Sequence, residues 1–341
     1  MKAVRIHAHG GPEVLQWEEI PDPEPGDTQV IVRIKATSLN HLDIWIRNGV
    51  PGTPLPIILG SDGAGVVEEV GKGVTSFKPG DEVIIQPLTY CGRCRFCETG
   101  RENYCRSFGI YGENQDGTHC ELMVAEEKNL RLKPDFMLFE EAASFALVGQ
   151  TAYAMLVRRA RIEPGESVLV WGADSGVGSM AVQIAKTRDC FVIATGGSEE
   201  KLRFAKELGA DIVIDHYRQE VLTIIKEVTA GNGVDVVFEH VGAATWGTSL
   251  KALGRGGRLV TCGATTGAKV NLDLRHLFFK QQSILGSTMG DVAAFEAVFA
   301  LVKERKIKPV VDRVFPMKEV RKAHQYLENR RQLGKIVLVP G

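Results

Sequence analysis

Two rhythms divide the chain. Val30-Ile31-Val32-Arg33-Ile34-Lys35-Ala36 reads with a period of two, as does Asp81-Glu82-Val83-Ile84-Ile85 after the turn Lys78-Pro79-Gly80. Pro21, Pro23, Pro25 and Gly26 break the chain between strands, and Pro51, Pro54 and Pro56 mark a long loop. Short strands set between such turns predict a small barrel-like β domain. Near residue 150 the rhythm changes. Ser167-Val168-Leu169-Val170-Trp171 is a continuous apolar run, the kind that a parallel sheet buries on both faces. A Gly-rich turn follows, then a helix with apolar positions at Met180, Val182, Ile184 and Ala185. Phe191–Thr195 predicts the next strand, and Glu199–Leu208 a helix capped by Ser198 and closed by Gly209. Asp211–Ile214, Val234–Phe238 and Gly257–Thr261 complete an alternation of strands and helices, which means a doubly wound parallel sheet. After residue 285 a helix pair and a last strand, Lys335–Val339, remain. That tail is too small to fold alone and is expected to return to the first domain. The predicted fold class is thus α/β, with a β-rich domain over 1–150, a coenzyme-type domain over 151–285 and a return segment over 286–341.

Composition narrows the partners. At 341 residues, two domains are the natural expectation. A formal net charge of -1 argues against a nucleic-acid backbone, which needs a clustered basic surplus. No apolar run reaches the roughly 18 residues that a membrane helix needs, and Met1–Ile6 lacks the apolar centre of a signal peptide. The expectation is a cytoplasmic protein acting on a small molecule, with its seven cysteines reduced.

Trp171-Gly172-Ala173-Asp174-Ser175-Gly176-Val177-Gly178 lies between the apolar run and its helix, where a Rossmann unit places the loop that holds a pyrophosphate. Backbone N–H groups and the helix dipole converge there, so small residues are needed. Ala173 and Ser175 stand at the first two glycine positions of the dinucleotide fingerprint, and Gly178 keeps the third. The candidate contacts are Ala173, Ser175, Gly176, Val177 and Gly178. At the end of the second strand stands Thr195-Gly196-Gly197-Ser198, with no carboxylate for a ribose 2′-hydroxyl. Ser198 and Lys201 suit a 2′-phosphate, favouring NADP over NAD; the alternative is that Ser198 is only a helix cap and Lys201 a solvated side chain.

Cys91, Cys94 and Cys97 are each separated by two residues, and seven residues separate Cys97 from Cys105. Four thiolates close a tetrahedral shell around zinc and leave no open position, so such a metal is structural. Arg93, Arg95, Arg101 and Arg106 offset its negative charge. An iron–sulfur cluster and two disulfides are the competing readings; the proline-flanked fourth cysteine of a cluster motif is missing.

A β domain with this lobe, a Rossmann unit and a return segment resembles the medium-chain dehydrogenase/reductase superfamily over essentially the whole chain. The likeness rests on Cys91–Cys97 with Cys105, on Gly60-Ser61-Asp62-Gly63-Ala64-Gly65-Val66-Val67, and on Gly172 to Lys186. It implies a GroES-like catalytic domain around the coenzyme domain, with the active site in the cleft. It also implies further cofactor contacts from Thr151, from Cys262-Gly263-Ala264 and from Lys335, with Ser287 and Thr288 near the nicotinamide. Family members commonly pair through their coenzyme sheets, so a homodimer or homotetramer is expected, with Ser283–Ser287 as the edge strand.

The departures from the family matter most. Its zinc alcohol dehydrogenases place catalytic ligands in Cys-x-x-Asp and Gly-His-Glu motifs and at a later cysteine. Here Asn40-His41-Leu42-Asp43, Gly60-Ser61-Asp62 and Leu147 stand at those places. An amide, a hydroxyl and a hydrocarbon do not hold zinc tightly. Asn40 with Asp43 and Arg47-Asn48-Gly49 resembles the metal-free quinone and enone reductases, most of which also lack the cysteine lobe. The expectation is hydride transfer from NADPH to a quinone, an enone or another activated double bond, with Asn40, Asp62 and His41 as catalytic candidates. Asn40 would donate to the substrate oxygen or the cofactor ribose. Asp62 would orient Asn40 or His41, or else sit near Arg47; His41 would titrate or simply pack. Asp43 and Arg47, four apart on a helix, are expected to form an ion pair. Two other readings stay open: an alcohol dehydrogenase with zinc on Asp62 and His41, and a non-catalytic dinucleotide sensor.

Overall fold

The computed structural model describes residues 1–341, which form two compact units: Met1–Leu147 with Pro309–Gly341, and Val148–Lys308.

In the first unit the strand Gln29–Ser38 is the axis. Val30, Val32 and Ile34 face a core shared with Ile58, Val67, Val83, Ile85 and Met123; each such buried aliphatic contributes about 1.5–3 kcal/mol. One edge of this strand pairs antiparallel with Asp62–Val70, whose first residue lies opposite Ser38. The opposite end of the pairing belongs to Lys335–Val339, in the register Val337 to Ser38 and Leu338 to Thr37. Carried two residues on, that register sets Lys335 opposite Asn40. The fold thus brings residues 40, 62 and 335 to one point at the end of one strand.

The last two strands, Val311–Pro316 and Lys335–Val339, run parallel to each other and close this sheet. The first of them escapes the periodicity reading. Asp312 and Arg313 interrupt it and Pro316 ends it, the composition of an edge strand.

The second unit is a six-stranded parallel sheet in the order Ile212–Asp215, Phe191–Gly196, Ser167–Val170, Val234–Glu239, Leu253–Thr261 and Ser283–Gly286. The order reverses between the strands that begin at Ser167 and Val234, the switch point at which such sheets bind dinucleotides. The caps expected from sequence are present: Ser198 Oγ accepts from Lys201 N, and Gly209 has a φ of 104°.

The boundary expected at 286 lies instead at 309. Ser283–Gly286 pairs along Leu253–Thr261, and the helix Val292–Lys303 buries Phe295, Val298 and Phe299 within the second unit. The helix Val292–Lys303, expected in the return segment, thus stays with the second unit.

Candidate active site and metal centre

Asn40 precedes the helix His41–Gly49, and its side chain does not cap that helix. Asp43 reaches back instead, its Oδ2 accepting from Asn40 N at 2.6 Å and its Oδ1 from Gly60 N at 3.1 Å. The Asn40 side chain is thereby released toward Asp62, whose Oδ2 accepts from Asn40 Nδ2 at 2.9 Å. Lys335 Nζ donates to the same Oδ2 at 2.9 Å and to Asn40 Oδ1. Asp62 Oδ1 accepts from Leu147 N at 2.7 Å, and Ser38 Oγ completes the set at 3.3 Å from Oδ2. Asn40, Asp62 and Lys335 are all buried.

A carboxylate taken out of water survives when donors satisfy its lone pairs, and Asp62 has four donors. Two of them come from positions 40 and 147, where the family's zinc enzymes carry metal ligands. An amide, a carboxylate and an ammonium thus meet at Asn40, Asp62 and Lys335. As a donor set this does not fit zinc: both Asp62 oxygens accept from N–H groups, and Asn40 Oδ1 accepts from a cation.

Several expectations need correcting. Lys335, expected at the cofactor, also donates to Asn40 and Asp62, a contact that sequence reading did not anticipate. Asp43 and Arg47 do not pair: Asp43 caps its own helix, while Arg47 donates to Gly10 O and bonds His324 Nδ1 and Glu328. Asp62 therefore lies with Lys335 rather than Arg47. His41 is half-buried and its ring meets Trp45 edge-on, with centroids 6.3 Å apart. The Lys335 contact had one available signal. An ammonium opening the apolar strand Lys-Ile-Val-Leu-Val needs a buried counter-charge.

In the second unit Ser175 Oγ accepts from Gly178 N at 3.0 Å and caps the helix Gly176–Lys186. A Cβ on Gly178 would lie 2.2 Å from Gly172 O, so the third glycine of the fingerprint is sterically required. Ala173 N donates to Thr195 O, which ties the loop to the next strand. Lys201 Nζ sits 2.6 Å from Asp174 Oδ2, an ion pair that sequence reading did not anticipate. Val177 lies in the first turn of that helix, Thr151 is buried with its hydroxyl on Met289 Sδ at 3.8 Å, and Cys262, Gly263 and Ala264 follow directly on the strand Leu253–Thr261.

The sulfurs of Cys91, Cys94, Cys97 and Cys105 all lie within 4.8 Å of one another. The Cys94–Cys97 and Cys91–Cys105 pairs are 3.5 Å apart, and Cys91–Cys97 3.9 Å. Zn–S bonds of about 2.3 Å in a tetrahedron set sulfurs roughly 3.8 Å apart, so the cluster fits a closed zinc site. Backbone N–H groups, that of Cys97 foremost, hold the Cys94 thiol down to about 6 and favour the thiolate. Arg95 and Arg101 stack on the Phe96 ring at 4.6 and 5.4 Å.

A doubly wound sheet with a capped phosphate loop and, in the same chain, a β unit with a four-cysteine lobe define a dinucleotide-dependent oxidoreductase. Residues 26–135 match the alcohol dehydrogenase GroES-like domain and residues 176–304 the zinc-binding dehydrogenase family. A quinone oxidoreductase of Pseudomonas aeruginosa is 34% identical, with 99% of each chain covered. An acryloyl-coenzyme A reductase of Sulfurisphaera tokodaii is 31% identical, with 100% of each covered. A solved NAD-dependent alcohol dehydrogenase superposes with a TM-score of 0.97 at 46% identity, with 100% of each chain covered. The chain belongs to the medium-chain dehydrogenase/reductase superfamily and is an NAD(P)-dependent oxidoreductase, which sets aside the sensor reading. No helix is long and apolar enough to cross a membrane.

Proposed function

We propose that this enzyme reduces an activated carbon–carbon double bond or a quinone, using zinc for structure only. The observation that carries the reading is the Asn40–Asp62–Lys335 network, built at the motifs where the resemblance would put a catalytic metal. The bound nicotinamide dinucleotide supplies the hydride. A conjugated carbonyl needs no strong Lewis acid, because conjugation spreads the charge left when hydride adds to the β-carbon. Asn40 Nδ2 carries two protons. Asp62 takes one, and the second is directed to the substrate oxygen. Lys335 polarises that donor by bonding Asn40 Oδ1, so a buried cation acts on the substrate through an amide. Protonation of the α-carbon from water completes the reduction. Relatives named for quinone and for acryloyl-coenzyme A reduction support this acceptor class.

The solved relative named as an alcohol dehydrogenase favours a second reading, metal-assisted alcohol oxidation. Steady-state oxidation of NAD(P)H with quinones, enones, enoyl thioesters and aldehydes separates the two. Turnover confined to plain aldehydes, together with two zincs per chain, would remove the first reading.

For the cofactor we infer a preference for NADP. No carboxylate ends the strand Phe191–Gly196, and the next strand leads into Tyr217 and Arg218, whose side chains are largely exposed. Lys201 is held by Asp174, and Arg218, 3.6 Å from Glu199 and 3.8 Å from Asp215 but largely exposed, is our candidate cation for a 2′-phosphate. We also infer a homodimer. Ser283–Gly286 is an edge strand, and Leu274, Phe278 and Phe279 stand 62–68% exposed on the segment leading to it. Sedimentation of the wild type against Phe278→Asp tests this; an unchanged monomer in both sinks it.

A further inference from the structure

Two fully buried hydroxyls, those of Thr37 and Thr118, converge on an atom that the chemistry above does not use, the backbone oxygen of Asp62. Thr37 Oγ1 donates to it at 2.7 Å and Thr118 Oγ1 at 2.8 Å, and the two hydroxyl oxygens are 2.6 Å apart. Two protons serve three contacts. Either both hydroxyls donate to Asp62 O, or one donates to it while accepting from the other. In the first case both hydroxyls hold the oxygen; in the second one hydroxyl holds it and is itself held by the other. Either way the central strand and the chain returning from the four-cysteine lobe are tied together at Asp62.

That returning chain has no slack. A Cβ on Gly117 would lie 2.0 Å from Gly60 O, and one on Gly112 2.5 Å from the same atom. A Cβ on Gly60 would lie 2.6 Å from Thr118 Oγ1. Gly117 N, Thr118 N and His119 N donate in succession to Ile58 O, Gly60 O and Leu59 O, each at 2.9 Å. Three glycines thus let two backbones touch where Thr118 must reach Asp62.

We propose that Thr118, backed by Thr37 and seated by Gly112 and Gly117, is a positioning residue that fixes Asp62 for its work on Asn40, Lys335 and Leu147. Its consequence for catalysis rests on the reading of Asn40 under Proposed function, but its consequence for structure does not. Leu147 N lies in the first turn of the helix Ala146–Tyr153, where no intrahelical acceptor exists. Its bond to Asp62 Oδ1 therefore reports where Asp62 stands.

The experiment compares Thr118→Val, which keeps the shape and loses the hydroxyl, with Thr118→Ser. It reads kcat, KM for the dinucleotide, and hydrogen exchange of the Leu147 amide. Thr118→Val is expected to lose about tenfold in kcat and about tenfold in Leu147 protection, with KM unchanged, while Thr118→Ser keeps both. Full kcat and full Leu147 protection in Thr118→Val would overturn the proposal, as would a Thr118→Ser defect as large as that of Thr118→Val. Should Thr118→Val not fold, Thr37→Val carries the same test. A wild type that reduces no acceptor would defeat the assigned function, and Leu147 protection would still decide this proposal.

Discussion

Lys335 Nζ and Asp62 Oδ2 form an ion pair at 2.9 Å with side chains 4% and 0% exposed. Charges so placed lose their hydration, and the pair persists because Asn40, Ser38 and the Leu147 amide share the carboxylate. Removing one partner is costlier than removing both. Lys335→Met is expected to destabilise the protein by roughly 3–5 kcal/mol, and adding Asp62→Leu should restore part of it. Urea unfolding of the single and double variants checks this. A Lys335→Met variant as stable as the wild type would mean that the pair is solvated.

The four cysteines predict the metal count. Atomic absorption should give one zinc per chain, and Cys105→Ser should lose it with a fall in Tm. Because four sulfurs would close the shell around a bound ion, metal removal should act on lobe stability before it acts on dinucleotide affinity. A chelated protein with unchanged Tm would argue that the lobe stands without metal.

The sequence was legible where one local rule sufficed. The apolar run Ser167–Val170, the loop ending at Gly178 and the Ser198 cap are each read from a few adjacent residues, and each is in place. The cysteine spacing was equally plain. What escaped depends on residues far apart in the chain. Lys335 meets Asp62 across 273 residues, and Arg47 turns from Asp43 to His324 across 277. Helical spacing made Asp43 and Arg47 look like partners. The competing principle was capping: an unsatisfied Asn40 N–H took the carboxylate first. The edge strand Ser283–Gly286 was anticipated, but the helix Val292–Lys303 was assigned to the return segment because only its packing, not its sequence, ties it to the second unit.

The Lys201–Asp174 ion pair gives a test of the proposed dinucleotide site. Lys201→Ala frees the Asp174 carboxylate beside the phosphate loop, so NADH and NADPH should both bind more weakly through charge repulsion. Arg218→Ala should weaken NADPH alone, by about tenfold or more for a lost charge-assisted contact. Fluorescence titration of both dinucleotides distinguishes them. Equal losses in Arg218→Ala would remove Arg218 from the 2′-phosphate site.

Burial raises Asp43 from 3.8 to about 7, against the N–H groups of Asn40 and Gly60 that favour its charged form. Between these values the folded state keeps a proton that the unfolded chain has lost. The stabilisation from Asp43 is thus complete below pH 3.8 and is lost as the pH rises toward 7. His119 works the other way. Burial first, then the nearby Lys335 charge, hold it down to about 3, and burial also depresses His324. Between about pH 3 and 6.5 the unfolded chain binds a proton that His119 refuses, and His324 acts in the same direction, so their contribution rises with pH. Asp43 therefore masks part of the histidine slope. Asp43→Asn removes the mask, and unfolding free energy should climb more steeply between pH 4.5 and 6.5 than in the wild type, by up to about 1.4 kcal/mol per pH unit for one proton. Urea titrations across that window measure it. A slope that flattens or falls in Asp43→Asn would show that Asp43 is ionised throughout, held by its two N–H donors rather than governed by burial.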